Sequence, residues 1–220
     1  MIEIPVDYFS NLSSYEEFVI KTNLLGYDVS DKEVLESLNK VENYYWFVVN
    51  GHLCFLDDNG NKTEDVIIEE DFNCSYNNLT SLEGCPKEVG GSFYCSHNQL
   101  TSLEGCPKEV DGNFDCYDNQ LTSLEGCPKE VDGFFDCSYN QLISLKGCSK
   151  KVGGSFYCYG NKLTSLEGCP EIVEGDFNCF ANKLTSLKGC PNEIDGDFYC
   201  SDNSRKLLKP NNLKCKNFHN

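Results

Sequence analysis

Fifteen cysteines in a chain of 220 residues are the side chains with the most chemistry to offer. Thirteen fall into two series with a constant step of 21 residues: Cys74, Cys95, Cys116, Cys137, Cys158, Cys179 and Cys200, and Cys85, Cys106, Cys127, Cys148, Cys169 and Cys190. Cys54 and Cys215 stand outside both. Sulfur at such intervals could bind metal, form disulfides, act as a nucleophile or pack. Structural zinc draws on close pairs such as Cys-x-x-Cys, and the chain has none. Equivalent thiols on stacked strands would stand about 4.8 Å apart, a line rather than a tetrahedron. That step suits the Cα separation of a disulfide, but side chains repeated along a stack point in parallel, not at one another. A nucleophilic thiol needs a paired base and an electropositive setting. The histidines are His52, His97 and His219, and thirteen equivalent cysteines single out none. The reading is therefore reduced, buried cysteine serving as a small hydrophobe, with no catalytic residue, no metal site and no cofactor.

Composition narrows the partners. A formal charge of −17 opposes direct nucleic-acid binding, which needs a basic surface, and favours a protein partner with a basic surface. The opening MIEIPVDYFSN has neither a basic region nor an apolar run, so no signal peptide is expected. No stretch reaches the roughly 18 apolar residues of a membrane span. A cytoplasmic protein with reduced thiols follows as the expectation. The acceptor patterns at Asn11, Asn61 and Asn78 then carry no glycan.

The cysteines belong to a longer repeat. Phenylalanines recur at 72, 93, 114, 135, 156, 177 and 198, each two residues before a strand cysteine and five before an asparagine. Six copies continue as Leu-x-Ser-Leu-x-Gly-Cys; proline follows in all but the fourth, where Ser149 replaces it. A fixed period over seven copies is the signature of a solenoid. In Phe-x-Cys alternate residues share a face, which puts Phe and Cys inside. The asparagines (Asn77 to Asn203) end each strand and are placed to bond the backbone of neighbouring coils. Leu100, Leu103 and their equivalents fill the next side, and a valine or isoleucine such as Val89, Val110, Val131 or Ile194 closes the coil. The glycine two before each Phe (Gly91, Gly112, Gly133, Gly154, Gly175, Gly196) is assigned to the turn into the next strand.

Phe-x-Cys-x-x-Asn-x-Leu resembles Leu-x-Leu-x-x-Asn-x-Leu, the strand segment of leucine-rich repeats, with Phe and Cys in leucine positions. The period and the proline are similar to the short bacterial subtype of that family, and the FxCxxNxLTSLxGCP variant to repeats encoded by large bacteriophages. The resemblance implies a mostly β leucine-rich repeat solenoid, with a parallel sheet on one face and short extended or 3₁₀ segments on the other. It also implies a protein-binding role, in the host cytoplasm if the chain is viral.

Residues 66–203 make about seven repeats. Residues 1–65 do not repeat and read as an α+β cap of two helices and a hairpin, since solenoids must shield their ends. Ser13–Leu25 has helical spacing, Ser30–Lys40 opens on a capping box of Ser30 and Glu33, and Asn50-Gly51 marks a hairpin. Residues 204–220 form a basic C-terminal cap, with Leu207 and Leu208 in the last core positions.

With Phe and Cys inside, the intervening positions face out, and they carry no lysine or arginine. Tyr94, Asp115, Tyr117, Phe134, Asp136, Tyr157, Tyr159, Phe180 and Tyr199 are the candidate partner-binding residues, because clustered exposed aromatics anchor interfaces and acidic groups steer basic partners. His97 is assigned to the rim. The expected function is a non-enzymatic protein-binding module, by analogy a phage-encoded inhibitor of a host defence or regulatory protein. A structural part of a virion and an acidic nucleic-acid mimic blocking a basic cleft are the alternatives.

Overall fold

A computed structural model describes Tyr8, Phe9 and residues 12–25 and 27–220, the Glu33 side chain excepted. The chain is a mostly parallel β-solenoid of about seven turns with a 21-residue step, preceded by a short helix, a single helical turn and an antiparallel sheet.

Each coil contributes a strand of only two residues. Phe72–Asn73, Phe93–Tyr94, Phe114–Asp115, Phe135–Asp136, Phe156–Tyr157, Phe177–Asn178 and Phe198–Tyr199 stack in sequence order as one parallel sheet, and Phe218–His219 of the tail adds an eighth strand. Register is strict: each Phe pairs with the next Phe. The seven phenylalanines from 72 to 198 are buried, their rings 5.0–6.1 Å apart down the axis. At about 1.5–3 kcal/mol per buried large apolar side chain, this column and its leucines drive the fold.

Two residues cannot make a strong ladder, so side chains complete the stack. Asn98 is typical. Its Oδ1 accepts from the Leu79 amide of the preceding coil at 2.9 Å, and its Nδ2 donates to the carbonyls of Cys74, Cys95 and Ser96. Asn119, Asn140, Asn161 and Asn182 repeat this set while nearly buried. The asparagine column is thus a polar spine along the end of the sheet.

The thiols do more than fill space. Cys74, Cys116, Cys137 and Cys179 donate S–H to carbonyls of the next coil at 3.3–3.4 Å, and corner residues Cys106, Cys127 and Cys169 do so at 3.0–3.1 Å. These are weak bonds. Burial pushes the thiols of Cys106 and Cys169 up to about 12. Ser149, in the proline position, donates to the Pro128 carbonyl at 2.6 Å.

Two expectations, on the glycines and on the tail, are corrected. The glycines before each Phe do not have left-handed φ; a Cβ on Gly112 would lie 2.7 Å from the Ser92 amide nitrogen. They permit close backbone stacking, whereas the left-handed turns fall at the corner glycines such as Gly105 (φ +87°). On the far side the extended alternative is the one that forms: turns and two three-stranded parallel sheets built on pairs such as Glu88–Val89 and Lys151–Val152 occupy it. In the tail Leu207 is buried but Leu208 is 84% exposed, and Leu213 takes the core position.

Ahead of the coils, α1 (Tyr15–Leu24) starts at Ser14, whose Oγ accepts from the Glu17 amide. The second expected helix shrinks to one turn, α2 (Lys32–Leu35), with Asp31 rather than Ser30 at its cap. The Glu33 half of the capping box lies outside the described side chains. The residues after α2 extend instead, as β1 (Asn39–Val41), to pair with β2 (Tyr44–Val49), which turns through Asn50-Gly51 into β3 (His52–Leu56). The hairpin is two-faced, as alternation requires. Trp46, Leu53 and Phe55 join the solenoid core, while Phe47, Cys54 and Leu56 pack with Phe18 of α1.

Candidate functional site

The outward face of the eight-stranded sheet comprises four columns, set by position relative to each inward Phe. The residue after Phe projects outward because strand side chains alternate; here stand Tyr94, Asp115, Asp136, Tyr157 and Tyr199, all half-buried. The position after Cys carries Tyr117, Ser138, Tyr159 and Phe180. One residue further, the chain is left-handed in every coil: Tyr76, His97, Asp118, Tyr139, Ala181 and Asp202 have φ of 50–61°, with Gly160 at 66°. Phe134 belongs to the column before Phe.

From this left-handed position His97 and Tyr139 meet the residue after Cys on the next coil, Tyr117 and Tyr159. A zigzag of rings results. Tyr76 stacks on His97 at 4.2 Å, His97 meets Tyr117 at 5.1 Å, Tyr117 meets Tyr139 at 5.4 Å, Tyr139 meets Tyr159 at 5.4 Å, and Tyr159 meets Phe180 at 5.8 Å. Tyr76 is 73% and Tyr139 49% exposed. Non-glycine residues here cost about 1–2 kcal/mol each, and Gly160 shows that the coil accepts glycine. The exposed tyrosines occupy the position against that cost.

Among the candidates, Tyr117, Tyr159 and Phe180 lie in this ribbon, and Asp115, Asp136 and Tyr157 run beside it. Phe134 joins through Tyr157, ring to ring at 6.3 Å. Tyr94 is held by the Asn113 amide at 3.3 Å. Tyr199 is apart, stacked on His219 at 4.5 Å, with Asp197 bonded to both. Tyr76 and Tyr139 lay outside the candidate set, and His97, read as rim, is a link in the ribbon, with Nδ1 2.8 Å from Asp118 Oδ2. Gly160 among larger residues was the available sign of a left-handed column.

Electrostatically the centre is Asp115 and Asp136, paired in register on adjacent strands. Burial raises both carboxyls, Asp136 to about 6 with the Asp115 charge adding to the shift. Burial also pushes Tyr159 to about 12. The Ser138 hydroxyl lies buried between these groups, and its side chain partly offsets the shift of each.

Among the described residues no group of three or more His, Cys, Asp or Glu is arranged to hold a metal ion, and no helix is long and apolar enough to cross a membrane. No protein-family model, curated protein or solved structure matches the chain.

Proposed function

We propose that the chain is a non-enzymatic protein-binding module of leucine-rich repeat type, engaging a partner with a basic surface through the outward face of its eight-stranded sheet. The observation that carries this reading is the ribbon of six rings from Tyr76 to Phe180 beside two carboxylates, on columns without lysine or arginine. Pre-stacked aromatics lose little entropy on docking and supply the anchors on which interfaces concentrate their energy. An acidic surround speeds capture of a basic partner.

The repeat label rests on Phe-x-Cys-x-x-Asn-x-Leu and its asparagine column. Residues 1–65 and 204–220 serve as caps in this reading, supported by Trp46 and Phe55 closing on Phe72 at 5.5 Å and Phe218 stacking on Phe198 at 5.6 Å. The likeness to phage repeats supports an inhibitor of a host defence or regulatory protein, acting in the host cytoplasm.

Affinity capture from a bacterial lysate, with the full chain and a Tyr157→Ala/Tyr159→Ala variant as baits, tests the reading. The wild type should retain a partner in stoichiometric amount, and the folded double variant should lose it by about 30-fold or more, as for removal of an interface anchor worth about 2 kcal/mol. A partner retained equally by both baits, or none retained by the wild type, would overturn it.

A further inference from the structure

The rings of the ribbon are spaced by the solenoid itself. Tyr76, His97, Tyr117, Tyr139, Tyr159 and Phe180 come from six successive coils, one ring from each. Stacked strands step by about 4.8 Å, so the ribbon runs across the strands, along the axis, for about 24 Å. Tyr139 stands at 69° to Tyr117 and at 87° to Tyr159. Faces therefore alternate with edges, which leaves notches between rings instead of a flat wall. The phenol hydroxyls of Tyr76, Tyr117 and Tyr139 donate to no group among the described residues, and Tyr76 and Tyr139 are exposed.

An occupant lying along this ribbon must offer contacts in the same step. Same-face side chains of a β-strand recur about every 6.7 Å and miss the first step by about 2 Å. The turns of an α-helix recur about every 5.4 Å and drift by about 3 Å over five coils. A polyproline II helix has three residues per turn at about 3.1 Å each, or about 9.3 Å, against about 9.6 Å for two coils. Its drift over the whole ribbon stays under about 1 Å. It also has no internal hydrogen bonds, so its carbonyls are free to accept from the phenols. Its fixed backbone loses little entropy on docking against aromatic side chains.

Charge narrows the occupant further. The outward columns hold no lysine or arginine. Asp115 and Asp136 pair on adjacent strands beside the middle of the ribbon, and Asp118 sits within it, bonded to His97 at 2.8 Å. A basic residue next to the prolines meets these carboxylates, whereas an acidic one is repelled. We propose that the ribbon takes a proline-rich segment of the partner, in polyproline II conformation along the solenoid axis, with prolines in the notches between rings and a flanking basic residue beside Asp115 and Asp118. That the occupant is a polypeptide rests on the reading above; its conformation and composition go beyond it.

The test is an NMR titration of the full chain, following its tyrosine ring signals, with acetyl-Arg-Pro-Pro-Pro-Pro-Pro-Pro-Arg-amide. Four further probes are its all-D enantiomer, a counterpart with alanine for every proline, one with glutamate for both arginines, and a neutral cello-oligosaccharide. The L-proline peptide should give saturable shifts at Tyr117, Tyr139 and Tyr159. The alanine and all-D peptides should bind about tenfold more weakly, for want of rings or of hand, and the glutamate peptide at least about tenfold more weakly. Tyr139→Gly places in one coil the residue that Gly160 supplies at the same left-handed position of the next. With its backbone spectrum otherwise preserved, it should weaken binding about tenfold. Equal binding of the alanine or all-D peptide, tighter binding of the sugar, or no shift with any probe would overturn the proposal, and none of these outcomes depends on the variant. Tyrosine-dependent capture of a partner stands or falls without reference to these peptides, so failure here removes the proline segment and leaves that reading intact.

Discussion

At the scale of single residues, Asp136 is the clearest case of a side chain held where stability alone would not put it. Burial is the first cause of its raised pKa, about 6, and Asp115 adds to it. The folded chain therefore binds this proton more tightly than the unfolded chain, whose aspartates titrate near 3.9. The contribution to stability is fully present below about pH 4 and is lost as pH rises through about 6. A difference near two pKa units corresponds to about 3 kcal/mol at pH 7, less whatever solvent reaches this half-buried group. Asparagine keeps the Oδ1 acceptor for the Ser138 amide and removes the charge. Asp136→Asn should accordingly stabilise the chain by about 1–3 kcal/mol at pH 7.5 and leave it unchanged at pH 4. Urea denaturation at both pH values measures this; equal effects at the two would refute the burial account.

Among the elements, the two-residue strand decides how much the neighbouring side chains must do. Asn140 satisfies the Leu121 amide and the carbonyls of Cys116, Cys137 and Ser138 inside the stack. Asn203, at the last full coil, is less buried. Asn140→Ala strands several buried groups at about 1–3 kcal/mol each, so a loss of about 3 kcal/mol or more is expected, against about half that for Asn203→Ala. Chemical denaturation of both variants checks the ratio, and similar losses would mean that the column is not the spine described here. This column was legible in the sequence, because an invariant polar residue at a fixed phase must serve the backbone. So was the inward pair, since Phe and Cys obey the period of two. The ribbon was only half legible. Alternation predicts side-chain direction while the strand lasts, but these strands end before Tyr76 and Tyr139, whose direction is set by left-handed backbone. Gly112 was visible as a requirement but its reason was not: contact between stacked backbones is a tertiary fact. Asn39 and Lys40 ended the expected second helix, and pairing with β2 overrode it.

For the whole molecule, the question is whether the antiparallel sheet and the solenoid are one cooperative unit. A solenoid is held by nearest-neighbour contacts, so long arrays lose cooperativity and fray from their ends. The net charge of −17 adds self-repulsion, and like charges stack in register, as at Glu88 and Glu109. Against this, a single apolar cluster runs without interruption from Trp46, Leu53 and Phe55 through every coil to Leu213. Trp46 is the sole tryptophan of the chain and packs edge-on against Phe72 of the first coil at 5.5 Å. Its fluorescence reports that junction, while far-UV circular dichroism reports the coils as a whole. A shared core should make the two urea transitions coincide. Added salt, which screens exposed charges more than a Debye length apart, about 3 Å at 1 M, should move both midpoints upward together. A tryptophan transition at distinctly lower urea would show instead that the first coil opens alone. The outward face of the sheet would then have a labile end at Tyr76 and His97 and a firm centre at Asp115 and Asp136.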